Sequence, residues 1–237
     1  MKKRIWLLLV LLPLALSSCR LLDQLGFDTY DYMGEKIQRS LPADGAEAVK
    51  MEDLLSMLIT DSDDLPTFTY MGDAIREYRD TVLTYMLSTG YLKYSGNTAL
   101  IAEAEAAYPE FHITQVIPET EFESVMYEIF GGDVKITHRD GERFQYLSRV
   151  GVYVTTLMPE AASYRPKITD LKETEKTYRV RFRVIPANET GSDGTMSREY
   201  FALIIKREDG THYIKRLQST ADLEGRKTGF FRVGDGK

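Results

Sequence analysis

The chain has 237 residues, 43% of them hydrophobic and 28% charged, and its 36 acidic side chains exceed 30 basic ones for a formal net charge of −6. That excess of negative charge repels a phosphate backbone and excludes nucleic acid as a partner. One cysteine, Cys19, excludes a disulfide framework, and the remaining composition is that of a globular protein with one large domain or two small ones.

Lys2, Lys3 and Arg4 precede an apolar run from Ile5 to Leu16 that gives way to Ser17 and Ser18. Charged, apolar and then small is the order of a secretory signal. As a helix the run rises only about 18 Å against a hydrocarbon core of roughly 30 Å, and Pro13 interrupts it, so it is too short to span a bilayer. Leu16-Ser17-Ser18-Cys19 resembles the lipobox of bacterial lipoproteins. The resemblance implies that residues 1–18 are removed and that Cys19 becomes the first residue of the mature chain. It also implies that Cys19 carries a diacylglycerol, with palmitate-type acyl chains. Two or three such chains, at about 0.8 kcal/mol per buried CH₂, hold a protein firmly to a membrane. The signal takes three basic residues and no acidic one, so the mature charge is 27 minus 36, or −9. Trp6, the only tryptophan, leaves with it.

Residues 19–45 mix short apolar patches with Gly26, Gly34, Pro42 and Gly45 and show no sustained period, which reads as a membrane-proximal stalk. An α+β domain is expected over 46–237, with helices in 46–130 and an antiparallel sheet in 134–233. The first helix carries Val49, Met51, Leu54, Leu55, Leu58 and Ile59, with Asp44 as its N-cap and "TDSDDLP" as its end. The second runs from about Gly72 to Ser88 with Gly90 as its stop. Asn97 and Thr98 cap a third helix that Pro109 terminates. In the fourth, Thr120 and Glu123 have capping-box spacing, Phe122, Val125, Met126, Ile129 and Phe130 form an apolar stripe, and Gly131-Gly132 stops it.

From Val134 the period changes to alternation, with strands in "VGVYVTTL", "PKITDLKE", "TYRVRFRVI", "REYFALIIK" and "HYIKRLQ". In the third of these, Tyr178, Val180, Phe182 and Val184 point to one face and Arg179, Arg181 and Arg183 to the other. A one-residue slip would bury three guanidinium groups, so the register is fixed. Asp209-Gly210 supplies the positive φ of a tight hairpin turn. The strand Tyr200–Ile205 is apolar on both faces, so its second face needs cover, either from the C-terminal "GFFRV" or from a partner.

Helices first and a strand meander last is an α+β order. The hairpins around "ITDLKETEKTYRVRFRVI" and "YFALIIKREDGTHYIKRL" resemble the NTF2-like and cystatin-like folds. The resemblance implies helices packed on a curved antiparallel sheet, as a cone, and it names no chemistry.

The residues supply few catalytic patterns. His138-Arg139-Asp140 copies a kinase catalytic loop but stands beside a turn glycine with no phosphate-binding loop or magnesium-binding tripeptide, and reads as a turn. His112, His138 and His212 are scattered, and with Cys19 acylated no metal site or cofactor is expected. "DSDDL" at 61–65 lacks an oxygen ligand at Leu65 and reads as a solvated acidic linker. Arg179, Arg181 and Arg183 are candidates for an anion-binding or partner face, set against a solvated face neutralised by Glu173, Glu175 or Glu199. Tyr78, Tyr85, Tyr91 and Tyr94 either line a sugar pocket or belong to the core. The expected function is a non-enzymatic, lipid-anchored, extracytoplasmic binding or regulatory protein of the bacterial cell envelope. It is held to the membrane through Cys19 and has an envelope protein or cell-wall component as partner. The alternatives are an inhibitor of a cell-wall hydrolase, a structural accessory subunit, and a small enzyme on an NTF2-like scaffold using a carboxylate or histidine as general base.

Overall fold

A computed structural model describes residues 35–132, 135–158, 160–189 and 198–220. Cys19 and the lipobox lie outside the described residues, as does the C-terminal "GFFRV". Mixed helices and antiparallel sheets give the α+β architecture expected from the order of periods. β1 (Arg39–Leu41) is followed by α1 (Ala46–Ser56), α2 (Met71–Glu77), α3 (Arg79–Ser95) and α4 (Thr98–Ala107). Next come β2 (Val116–Pro118), α5 (Glu119–Phe130), β3 (Gln145–Leu147) and β4 (Val152–Val154). β5 (Tyr164–Glu173), β6 (Thr177–Pro186), β7 (Glu199–Lys206) and β8 (His212–Ser219) complete the order.

Five strands form one sheet in the order β1-β5-β6-β7-β8, every neighbour antiparallel. Alternation on β6 sets its two faces as the sequence implies. Val180, Phe182 and Val184 are buried at 1% exposure or less, while Arg181 and Arg183 are exposed and Arg179 is half-buried. Bulges between Ile168 and Asp170 and between Leu203 and Ile204 interrupt the ladders, and such insertions bend and twist the strands they occupy. The β7–β8 turn uses Gly210 at φ 83°, a conformation that costs glycine nothing.

The helices cover the face that carries Val180 and Phe182. Met51 and Leu55 of α1, Phe122, Met126, Ile129 and Phe130 of α5, and Tyr78, Val82 and Met86 join β5–β8 in one continuous apolar core. Tyr78, Phe68 and Phe130 meet with centroids 5.6–5.9 Å apart. Such an arrangement adds about 0.5–1.5 kcal/mol per pair beyond area burial. The interior between helices and sheet is therefore filled.

Several boundaries differ from the sequence reading. The stretch assigned to a stalk enters the fold before residue 45: Arg39–Leu41 pair with Leu171–Glu173, and the Arg39 guanidinium meets the Glu173 carboxylate. Gly45, not Asp44, is the N-cap of α1, with no side-chain cap, and Val49 is 51% exposed because it lies on the helix's outer side. The expected second helix is two, broken at Tyr78 (φ −98°, ψ 5°), whose hydroxyl donates to Pro66 O at 2.6 Å. Gly90 does not stop it; α3 passes through as a kink, with Tyr94 so close that a Cβ at Gly90 would press on its ring. Asn97 caps α4 as expected, its side chain accepting from Leu100 N. The capping box on α5 does not form, because β2 runs straight into the helix at Pro118 and places Thr120 and Glu123 inside it. Gly131 ends α5 at φ 87°.

β2, β3 and β4 form a separate sheet in the order β2-β4-β3, so one strand lies within the span expected to be helical. This sheet and α4 enclose a second core of Ala104, Ile113, Val116, Leu147, Val152 and Val154.

Candidate functional site

The segment from His138 to Tyr146 is held by side chains from three elements. Arg79, the first residue of α3, is 7% exposed and donates to the carbonyl of Asp140 at 3.0 Å and, more weakly, to that of Arg139 at 3.5 Å. Asp80 beside it accepts from the amides of Glu142 at 2.6 Å and Arg143 at 3.0 Å. Consecutive residues thus take the carbonyls and the amides of one loop. Gly141 sits against the Asp80 carboxylate, and a Cβ there would overlap Asp80 Oδ1. Arg143 in turn pairs with Asp61 at 2.6 Å, which holds the Asp61 carboxyl below its ordinary range. The acidic segment 61–65 is correspondingly tied down rather than free in solvent. Asp64 pairs with Arg198, and Leu65 is buried with its amide donating to Tyr200 OH at 2.9 Å.

His138 occupies a polar cluster that the sequence did not reveal. Its Nε2 lies 3.1 Å from Glu123 Oε1 and its Nδ1 3.0 Å from Tyr153 OH. The two contacts fix the ring between the carboxylate of α5 and the phenol of β4. The ring stacks on Tyr146 at 5.1 Å, and the Tyr146 hydroxyl donates to Glu119. Burial pushes the Tyr153 phenol up to about 12, and burial together with the Glu119 carboxylate raises Tyr146 as well. Both phenols are thus neutral donors. Both imidazole nitrogens are already engaged and the His138 side chain is 14% exposed, while the Glu119 and Glu123 side chains keep 34% and 33% exposure. The signal for it in sequence is slight: Glu119 and Glu123 share a face of α5 at i and i+4, but Tyr146 and Tyr153 reach them only through β3–β4 pairing.

A cleft of about 660 Å³ opens between the end of α1, α3 and residues 157–158 and 160–165. Ile59, Leu87, Tyr85, Ala161 and Ala162 give it apolar walls, and Thr60, Thr84, Ser88, Thr89 and Ser163 place hydroxyls around them. Leu157 and Met158, 36% and 67% exposed, stand in its lining as large apolar side chains facing water. Of the four tyrosines singled out in sequence, only Tyr85 lines this cleft; Tyr78 and Tyr94 are buried in the core at 0% and 6% exposure.

No family model, curated protein or solved structure matches this chain. Its own residues therefore carry the functional argument.

The arginine ladder stands on the sheet face turned away from the helices. Arg183 lies 3.9 Å from Glu199, as one of the expected neutralising pairs, and Asp170 stands opposite Arg181 across the β5–β6 ladder. Glu173 does not serve the ladder, because it faces Tyr178 and binds Arg39 and Lys206 instead, and both cations lower its carboxyl pKa. Arg179 lies over Phe201 at 5.3 Å, a cation–π contact. Phe201 and Leu203, the second apolar face of β7, are both 1% exposed. Of the other histidines, His112 is on the surface with its side chain 90% exposed, and His212 lies beside Tyr178. Among the described residues no group of three metal-binding side chains converges.

Proposed function

We propose that this chain is a lipid-anchored, extracytoplasmic binding protein of the bacterial cell envelope. In this reading it is built as an NTF2-like cone with a filled interior, and its ligand seats in the 660 Å³ cleft beside α3. The observation that carries the reading is the coincidence, in that cleft, of apolar walls, a hydroxyl rim and exposed Leu157 and Met158. A mostly apolar concave site with a few placed polar groups is the usual form of a small-ligand site. The ligand class is a largely apolar, non-anionic group with hydrogen-bonding edges, since Asp61 already pairs with Arg143, Arg165 donates to Glu189 O at 2.7 Å, and Glu160 adds a carboxylate to the lining. The address comes from the lipobox, with Cys19 as the acylated residue.

Two measurements test the two halves separately. Membrane fractionation of wild type and Cys19→Ser reads the anchor: loss of membrane association in the variant is expected, and retention refutes it. Binding of the neutral probe N-phenylnaphthylamine reads the cleft. Leu157→Glu with Met158→Glu is expected to weaken the probe about tenfold or more by placing charge at the apolar mouth. Unchanged binding excludes the cleft.

A further inference from the structure

The outer face of β5 and β6 differs in charge from the molecule as a whole. Pairing across the ladder puts Lys167 beside Arg183, Asp170 beside Arg181 and Lys172 beside Arg179, while β7 contributes Glu199; its Phe201 and Leu203, 1% exposed, are covered and present no surface. Five cations thus share a face with two carboxylates, in a chain whose net charge is −6. Some are engaged: Lys167 lies 3.6 Å from Glu52 and Lys172 lies 3.5 Å from Asp170. Arg181 and Arg183 project to solvent, and the Arg183 side chain is 56% exposed, with Glu199 at the long distance of 3.9 Å.

Resting on the reading of Cys19 as a lipid anchor, we propose that this face lies on the membrane and docks on anionic phospholipid headgroups through Arg181 and Arg183. The chain leaves Cys19 by residues 20–34 and joins the fold at β1, the strand hydrogen-bonded to β5. Those residues reach at most about 50 Å when extended. The tether thus joins the sheet at the edge next to its basic strand pair. Charge completes the argument, because an anionic surface attracts each nearby Lys or Arg and repels the acidic remainder of the molecule. A guanidinium also matches phosphate oxygens with paired donors. The anchor holds the domain at the surface, and the two arginines select which side faces it.

The lipidated chain carrying Thr169→Trp has its one indole on this face, because Trp6 leaves with the signal, the sequence holds no other tryptophan, and the exposed Thr169 reaches Glu199 with its hydroxyl at 3.4 Å. It is mixed with brominated phosphatidylcholine vesicles, and with vesicles in which brominated phosphatidylglycerol replaces about a third of that lipid. The expected result is quenching in the anionic vesicles that molar salt abolishes. Arg181→Gln with Arg183→Gln should weaken the docking equilibrium about tenfold or more. Vesicle pelleting is read in parallel, so the two readings fail separately. A chain that pellets with both vesicle types but is quenched equally in both refutes the docking face and leaves the anchor standing. A chain that pellets only with anionic vesicles, and only with both arginines present, supports the face and removes the anchor. Pelleting with neither refutes both. Protection of the two arginines from phenylglyoxal by soluble polyphosphate, without quenching by anionic vesicles, assigns the face to a soluble anion and overturns the proposal.

Discussion

In the five-stranded sheet, β5 and β6 run for ten residues each, and their inner faces sink into a core shared with α1, α3 and α5. In the three-stranded sheet, β2, β3 and β4 have three residues each, and six buried side chains make up the second core. The first is specified by apolar alternation, which fixes both face and register at once. The second is held by polar contacts from outside itself: Asp80 on the amides of Glu142 and Arg143, Arg79 on the carbonyl of Asp140, and Tyr108 OH on Arg149 N at 3.0 Å. A long strand pattern is robust to the loss of one contact. A short strand depends on the loops that deliver it.

The sharpest way to break the comparison is to empty the large core. Phe182 is fully buried and stacks on Tyr200 at 5.7 Å. Phe182→Ala should cost about 3–5 kcal/mol and lower the chemical-denaturation midpoint of the whole molecule in one transition. If only the region of β2–β4 loosens, the two cores are not ordered in stability as described. Asp80→Ala comes next. It leaves the amides of Glu142 and Arg143 without their acceptor and should cost about 2 kcal/mol. Hydrogen exchange should quicken in 138–147 while β5–β8 stay protected, and uniform acceleration would mean that the small sheet is not separable.

The smallest effect comes from the edge of the large sheet. The Glu173 carboxyl lies below its ordinary value of 4.5, chiefly because of Arg39 and then Lys206. A depressed carboxyl adds stability above the unfolded value that is lost as pH falls through the folded one. His212 is lowered below 6.5 mainly by burial, so its contribution is likewise complete above 6.5 and declines on acidification. Stability should therefore decline from about pH 6.5 and more steeply below about 4.5. Glu173→Gln should remove part of the lower limb at a cost of about 1 kcal/mol. An unchanged acid limb in the variant, measured by denaturation across pH, would show that the ion pairs do not contribute.

The large sheet was legible because its strands are long enough to show a period, and Asp209-Gly210 marked its last turn. α5 was legible in its stripe and in Gly131, but its start was not, because Glu123, placed by spacing in a capping box, instead binds His138. The break at Tyr78 left no trace in the period, since Ile75, Tyr78 and Val82 stay buried on both sides of it. Three-residue strands carry too little alternation to be read, which hid β1, β2 and β3, while β4 lies inside the strand read in "VGVYVTTL". His138 was read as part of a turn, but 135–141 form no regular turn, and its partners come from α5 and β4. The cleft has no motif either, because its walls are drawn from five separate stretches of chain.

β1 has a mechanical consequence. Any tension on the chain before Glu35 reaches the globule first through the Glu35 carboxylate, which accepts from Thr174 Oγ1, and then through this edge strand. It is held by Gln38 N on Glu173 O at 2.8 Å, by three paired residues and by the Arg39–Glu173 ion pair. Those contacts lie in series ahead of the apolar core. Under load, β1 should peel away as a fuse, releasing a few residues of chain while the helices and the other four strands of the sheet stay closed.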